Sequence, residues 1–285
     1  MRKRLPSWLK RSLPEISTLN THAVLEKYRL ATICESAKCP NRSECYSRNT
    51  ATFLLLGEVC TRSCSFCSVP PGKPKPLEED EPLRVASAAN ELGLEHVVIT
   101  SVNRDDLESG GAHIFAGTIR EIRKQMPEAT VEVLTPDFCG NWNAVEEVVQ
   151  AKPDVYNHNM ETVRRLYPKV RPRAIYERSL ELLDRVKKQD PEILTKSGFM
   201  VGIGETSGEV EKLLRDLRQA DCDIVTVGQY LQPLDRKMDI LEFISPERFL
   251  EIEIEAREMG FREVYSVPYV RSSYHAGEVF AEAKQ

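Results

Sequence analysis

The chain has 285 residues, 41% of them hydrophobic, and a formal net charge of −5. That length supports one large core, as alpha/beta barrels use it, without forcing a division into domains. The acidic balance argues against a general nucleic-acid binder, which draws on a basic excess, and no apolar run reaches the roughly 18 residues that cross a bilayer.

The opening MRKRLPSWLKRSLP is basic but has neither the apolar stretch nor the small-residue cleavage site of a secretory signal. Pro6, Pro14 and its brevity argue against a mitochondrial transit peptide. A soluble, cytoplasmic protein is expected, and in a reducing compartment clustered cysteines favour metal or redox chemistry over disulfides. Six of the eight cysteines fall between Cys34 and Cys67. The first three sit in CESAKCPNRSEC as Cys34, Cys39 and Cys45, with Pro40 and Asn41 marking a turn-rich loop. Three thiolates there could hold an iron–sulfur cluster whose fourth ligand comes from elsewhere. The alternative is zinc completed by a distant histidine.

A first strand, TFLLLG (52–57), leads directly into CTRSCSFC, with Cys60, Cys64 and Cys67. Three soft thiolates on one short loop can hold three irons of a 4Fe–4S cluster. The fourth iron then lacks a protein ligand, and an open coordination position is what separates a reactive metal site from a structural one. Phe66, between the last two cysteines, would shield the cluster from water. PPGKPKP (70–76) reads as a stiff, extended linker.

Beyond it, apolar runs alternate with amphipathic stretches. Strands are expected at 96–100, 130–135, 154–159, 193–202 and 223–231, with helices at 80–92, 112–126, 143–151, 161–167 with 175–189, 207–220 and 246–259. Six beta-alpha units in a row imply a parallel sheet, as an open doubly wound sheet or a complete or partial barrel. Polar residues gather at the C-terminal strand ends, among them Thr100, Asn103, Thr135, Asn159 and Gln229, where a barrel builds its active site. His158, between two asparagines on a strand, points away from the side they share and reads as structural. Cys139 and Cys222 stand alone and read as small buried hydrophobes.

The C-x3-C-x2-C spacing after the first strand resembles the radical S-adenosylmethionine (SAM) superfamily, and the two cysteine groups together resemble the lipoyl synthases. Further matching stretches are PSWLK (6–10), VNRDDLESGGA (102–112), EVLTPDF (132–138), NHNMETV (157–163), KSGFMVGIGET (196–206), GQYLQP (228–233) and VRSSYHAGE (270–278). The fold this implies is α/β, a partial (β/α)6 TIM-like barrel over 51–260. An N-terminal extension (1–50) carrying the auxiliary cysteines and a C-terminal segment (261–285) with RSSY would close over the barrel mouth.

The resemblance implies two 4Fe–4S clusters and SAM as co-substrate. Cys60, Cys64 and Cys67 would carry the SAM-binding cluster. Cys34, Cys39 and Cys45 would hold an auxiliary cluster with Ser273 as its fourth ligand, Ser272 being the alternative. Asn159 and Glu161 would face the nucleoside, Arg178 could pair with the SAM carboxylate, and Lys196, a lysine inside a strand, would have a site role. GIGET (202–206) would pack near adenine, and His275 could fix the C-terminal segment. The reaction implied is insertion of two sulfurs, at C6 and C8 of an octanoyl chain on a carrier-domain lysine, with the auxiliary cluster as sulfur source.

Implied partners are octanoylated carrier domains (the E2 subunit of a 2-oxoacid dehydrogenase or the glycine cleavage H protein), an electron donor such as ferredoxin or flavodoxin, and an iron–sulfur carrier for cluster repair. The sequence departs from the family at Ser43 and Tyr46 flanking Glu44–Cys45, at Asn49, at Lys237 and at Val267, none of them a cluster ligand. A biotin-synthase-like enzyme would share CTRSCSFC but has no reason to carry both CESAKCPNRSEC and RSSY. A two-cluster electron-transfer protein would close both clusters with cysteine, and six clustered cysteines cannot do so.

Overall fold

In the computed structural model the described residues are 4–10, 18–235 and 237–285. Parts of the basic opening stretch, residues 1–3 and 11–17, lie outside them. Along the chain run α1 (Leu19–Lys27), β1 (Ala31–Thr32), α2 (Ile33–Ser36), α3 (Arg42–Ser47), β2 (Thr52–Leu55), α4 (Glu81–Glu91), β3 (His96–Ser101), α5 (Ala112–Gln125), β4 (Thr130–Leu134) and α6 (Trp142–Gln150). Then come β5 (Val155–Asn157), α7 (Tyr167–Val170), α8 (Tyr176–Gln189), β6 (Leu194–Val201), α9 (Ser207–Gln219), β7 (Ile224–Gln229), α10 (Pro246–Glu258), β8 (Glu263–Ser266) and α11 (Ala276–Ala283).

The strands form one eight-stranded sheet in sequence order. Strands β2 to β8 pair in parallel, and β1 adds antiparallel to β2. Covered on both faces, the parallel strands carry apolar residues without alternation, as in TFLL of β2, buried throughout. No ladder joins β2 to β8, so the barrel is partial, made of six beta-alpha units followed by one further strand. The helices begin where their caps dictate. Thr206 and Glu209 form a reciprocal capping box on α9, and Ser245 caps α10 ahead of Pro246.

The structure differs from the sequence reading in four places. Both flanking segments contribute a strand, β1 and β8, to the sheet. The helix expected at 161–167 starts only after residue 163, because Glu161 takes a left-handed φ of 64° and bridges β6, its N–H bonding Gly198 O and its O accepting from Met200 N. PPGKPKP is more than a linker, since Pro70 O accepts from Cys60 N and Gly72 N donates to Cys60 O. Cys222 is buried as expected, but Cys139 is exposed, its Sγ 3.2 Å from Asp105 Oδ1.

Two pieces complete the barrel. After β8 the chain crosses the gap in the sheet: Pro268 O accepts from Gln229 N at the end of β7, and Ser273 Oγ accepts from Thr52 Oγ1 at the start of β2, 2.8 Å away. Below it α11 packs Val279 and Ala283 on Val155, Leu194 and Ile224, at the N-terminal ends of the strands. Of the C-terminal residues, then, the RSSY strap reaches the cavity and the helix plugs the opposite end.

Candidate functional site

Both cysteine groups reach a cavity of about 440 Å3 inside the barrel, the first through Cys34 and Cys39 and the second through Cys60, Cys64 and Cys67. Cys34 lies on α2, Cys45 on α3, and Cys39 on the turn between them, tied by its N–H to Cys34 O. Cys60, Cys64 and Cys67 occupy the loop after β2, at the C-terminal end of the sheet. Two backbone N–H groups point at the Cys60 sulfur, from Arg62 at 3.4 Å and from Asn103 at 3.3 Å. Hydrogen bonds of that kind tune a cluster thiolate.

Arg62 clamps this loop to its neighbours. Its guanidinium, buried, makes paired bonds of 2.8 Å to Asp105 and a 2.6 Å bond to Asp137. Burial alone would raise the Asp137 pKa, but Arg62, with help from Arg178, holds it well below the usual carboxylate range.

Four of the six thiols are hard to ionise unaided. Burial, with neighbouring thiols adding to it, pushes Cys34 up to about 11 and Cys45 and Cys67 up to about 12. Burial likewise raises Cys64. Thiols of this kind become thiolates only when a cation takes the proton's place, which is what iron does. Among the described residues no three Cys, His, Asp or Glu side chains converge as ligands of one metal ion do. Cluster thiolates, one per iron, stand further apart than ligands of a single ion. A donor set made of soft thiols, three to a group, fits iron–sulfur clusters.

Asn159 and Glu161 both line the cavity. Asn159 Nδ2 donates to Glu161 Oε1 at 2.9 Å. Burial raises the Glu161 pKa, and Arg171 pulls against the rise. Two buried polar atoms on the cavity wall, Ser101 Oγ and Asn103 Oδ1, have no hydrogen-bond partner within the protein. A buried orphan costs about 1–3 kcal/mol, so these atoms fit a polar ligand such as SAM beside the cluster loop.

Ser272 and Ser273 line the cavity but face different partners. Ser273 shares Thr52, which also bonds Cys34, whereas Ser272 Oγ donates to Asn159 Oδ1 at 2.9 Å. Glu44, beside Cys45, accepts from Tyr274 at 2.9 Å and lies 3.4 Å from His275 Nε2, and Asn41 donates to Tyr269 O at 2.8 Å. The first cysteine segment thus grips the RSSY strap at both ends.

Two expected residues stand elsewhere. Arg178 spends its planar fork on Asp137, at 2.9 and 2.6 Å, and does not line the cavity. Lys196 is 1% exposed and sealed against Glu132 at 2.9 Å in the barrel floor. Burial would raise the Glu132 pKa, yet Lys196 and His96 lower it to about 2. GIGET also lies outside the lining, where Glu205 accepts from the Gly202 and Ile203 N–H groups. The sequence reading missed Arg171, which lines the cavity and donates to Asn159 O at 2.6 Å. Its only signal was position, an arginine shortly after the NHNMET strand end. His158 is buried and bonded through both nitrogens, to Thr135 O at 2.9 Å and Ser179 Oγ at 3.0 Å.

A family model described as the radical SAM superfamily matches residues 54–217. The chain is 54% identical over 276 residues to a lipoyl synthase of Caldanaerobacter subterraneus subsp. tengcongensis, covering 97% of each chain. It is 51% identical to a lipoyl synthase of Alkaliphilus metalliredigens, across 99% of this chain and 98% of that one. Among solved structures it resembles methylornithine synthase (TM-score 0.54, 14% identity, 91% of this chain and 85% of that). The FeFe-hydrogenase maturase HydG is a second such structure (TM-score 0.58, 13% identity, 94% and 67%). At those identities the two structures speak for the fold alone.

Proposed function

The chain belongs to the lipoyl synthase family of the radical SAM superfamily, and from that membership we propose how its residues divide the work of inserting two sulfurs, at C6 and C8, into a protein-bound octanoyl chain. The observation that carries the division is that Cys34 and Cys39 of the first triad, with Cys45 beside them, share one cavity with Ser273 and all three cysteines of the second triad. A 4Fe–4S cluster held by Cys60, Cys64 and Cys67 would supply, once reduced, the cleavage of SAM that yields a hydrogen-abstracting radical. An aliphatic C–H gives general acid–base or nucleophilic groups nothing to act on, so the protein's share is positioning and exclusion.

In this reading Cys60, Cys64 and Cys67 hold the SAM-binding cluster, leaving its fourth iron for SAM. Asn159 and Glu161 take the nucleoside side, and Ser101 and Asn103 supply acceptors for SAM's donors. Arg171, which lines the cavity where Arg178 does not, is a cation placed to meet a carboxylate. Lys196 keeps its pair with Glu132 and holds the barrel floor. Cys34, Cys39, Cys45 and Ser273 hold the auxiliary cluster, the sulfur source. A serine oxygen is a harder, weaker ligand for iron than thiolate, which suits a cluster that must be dismantled. The octanoyl chain lies along the apolar wall of Leu54, Val102, Leu134, Phe199 and Val270.

The acceptor in this proposal is an octanoylated carrier domain. Ferredoxin or flavodoxin supplies electrons, and an iron–sulfur carrier rebuilds the auxiliary cluster. No helix among the described residues is long and apolar enough to cross a membrane, and a cytoplasmic site of action is proposed. The test is to reconstitute the protein anaerobically, desalt it, add SAM, a strong reductant and an octanoyl-lysine peptide, and weigh the peptide. A gain of two sulfurs is expected. In the same assay Cys60→Ala loses 5′-deoxyadenosine, whereas Cys34→Ala keeps it and adds no sulfur. An unchanged peptide with 5′-deoxyadenosine formed by the intact protein would overturn the sulfur-insertion reading, and the absence of both products would overturn the open cluster.

A further inference from the structure

We propose that Ser272 is a positioning residue that couples the two cofactor sites, transmitting the state of the auxiliary side to the SAM side through Asn159. The proposal rests on the reading that each cysteine triad holds a cluster.

The path is short: hydrogen bonds at both ends are joined by the single peptide unit between the adjacent Ser272 and Ser273. Ser273 is fixed to Thr52 at 2.8 Å, the residue that also bonds Cys34. Its neighbour Ser272 turns the other way and donates to Asn159 Oδ1 at 2.9 Å, and Asn159 Nδ2 donates to Glu161 Oε1 at 2.9 Å. An amide accepts at one end and donates at the other. Rotation of Asn159 to follow a shifted Ser272 therefore withdraws its N–H from Glu161.

Little slack exists to absorb such a shift. A Cβ on Gly198 would stand 3.0 Å from both Ser272 Oγ and Asn159 Oδ1, so the two side chains meet in a slot that only glycine leaves open. The strap bearing the two serines is gripped on either side, by Asn41 at Tyr269 and by Glu44 at Tyr274. Displacement of Ser273 from the auxiliary site thus passes along a held segment to Ser272, and from there to the carboxylate facing SAM. Adjacent serines with opposed partners are a simple way to join two sites.

Coupling of this kind is reciprocal, and a factor of about five is the low end of what such links carry. SAM affinity is measured by equilibrium dialysis for wild type and Ser272→Ala, each with the first triad intact and with Cys34, Cys39 and Cys45 all replaced by alanine. With Ser272 present, loss of the first triad is expected to weaken SAM binding at least about five-fold. With Ser272→Ala, that difference should fall below about two-fold. An equal difference in both backgrounds, or none in either, overturns the proposal, because a merely local role moves both alike. In wild type carrying both clusters, SAM should slow amide hydrogen exchange across 270–274 by a similar factor. Unchanged exchange there overturns the proposal even if Ser272→Ala folds poorly. A wild-type protein with clusters that binds no SAM would instead refute the assignment of the second triad, a distinguishable result.

Discussion

His158 shows how far burial can take one residue from its ordinary chemistry. It is buried at the cavity wall, and its Nδ1 lies against a backbone carbonyl, which fixes the neutral tautomer with the proton on Nδ1. Burial, and next the positive charge of Arg171, lower its pKa from 6.5 to about 4. The unfolded chain therefore takes up a proton, as pH falls through 6.5, that the folded chain refuses until about 4. This group costs nothing above that window and destabilises progressively within it, by up to about 3 kcal/mol at its lower end. In thermal melts of the cofactor-free protein, His158→Gln is expected to flatten the fall in Tm between pH 7 and pH 4.5. An unaltered slope would mean that other groups carry the acid sensitivity.

Among the elements, the strap and the strands it lies on are the most tightly specified. A Cβ on Gly228 in β7 would come within 2.2 Å of Val270 O, a backbone atom that cannot step aside. Gly228→Ala should therefore expel the strap while leaving the Cys60–Cys67 loop in place. The expected outcome is at least ten-fold faster proteolysis within 267–275, and reconstitution with one cluster instead of two; a variant that keeps both clusters and a protected strap would refute the seating argument. The core strands were legible in the sequence because burial on both faces leaves uninterrupted apolar runs. Most helices were legible from their apolar periodicity and caps. Strands β1 and β8 were not, since AT and EVYS are too short to carry a period and are specified by the edges they join. The cysteines announced themselves by spacing. The separate roles of Ser272 and Ser273 did not, because a residue's partner across 113 or 221 positions leaves no local mark; Arg171 did not, because it bonds a backbone carbonyl, which any residue carries. Lys196 misled for a definable reason: a lysine inside a strand signals an unusual environment, but a buried carboxylate such as Glu132 accounts for it as well as a ligand does.

At the scale of the molecule, a parallel sheet left open between β2 and β8 is completed by pieces from the far end of the sequence. The strap fills the gap and α11 seals the floor, where Val279 meets Val155, Leu194 and Ile224. A charge at that position has no partner to meet. Val279→Asp should lower Tm by on the order of 5–10 °C, given a cost of several kcal/mol for an unpaired buried charge; a shift below about 2 °C would show that the plug is dispensable. The contacts that finish the cavity span long stretches of chain: 221 residues from Thr52 to Ser273, 228 from Asn41 to Tyr269 and 230 from Glu44 to Tyr274. At roughly 5–20 residues per second, synthesis separates those partners by about 11 to 46 seconds. For that interval the strap that covers the thiols' cavity has not yet been made.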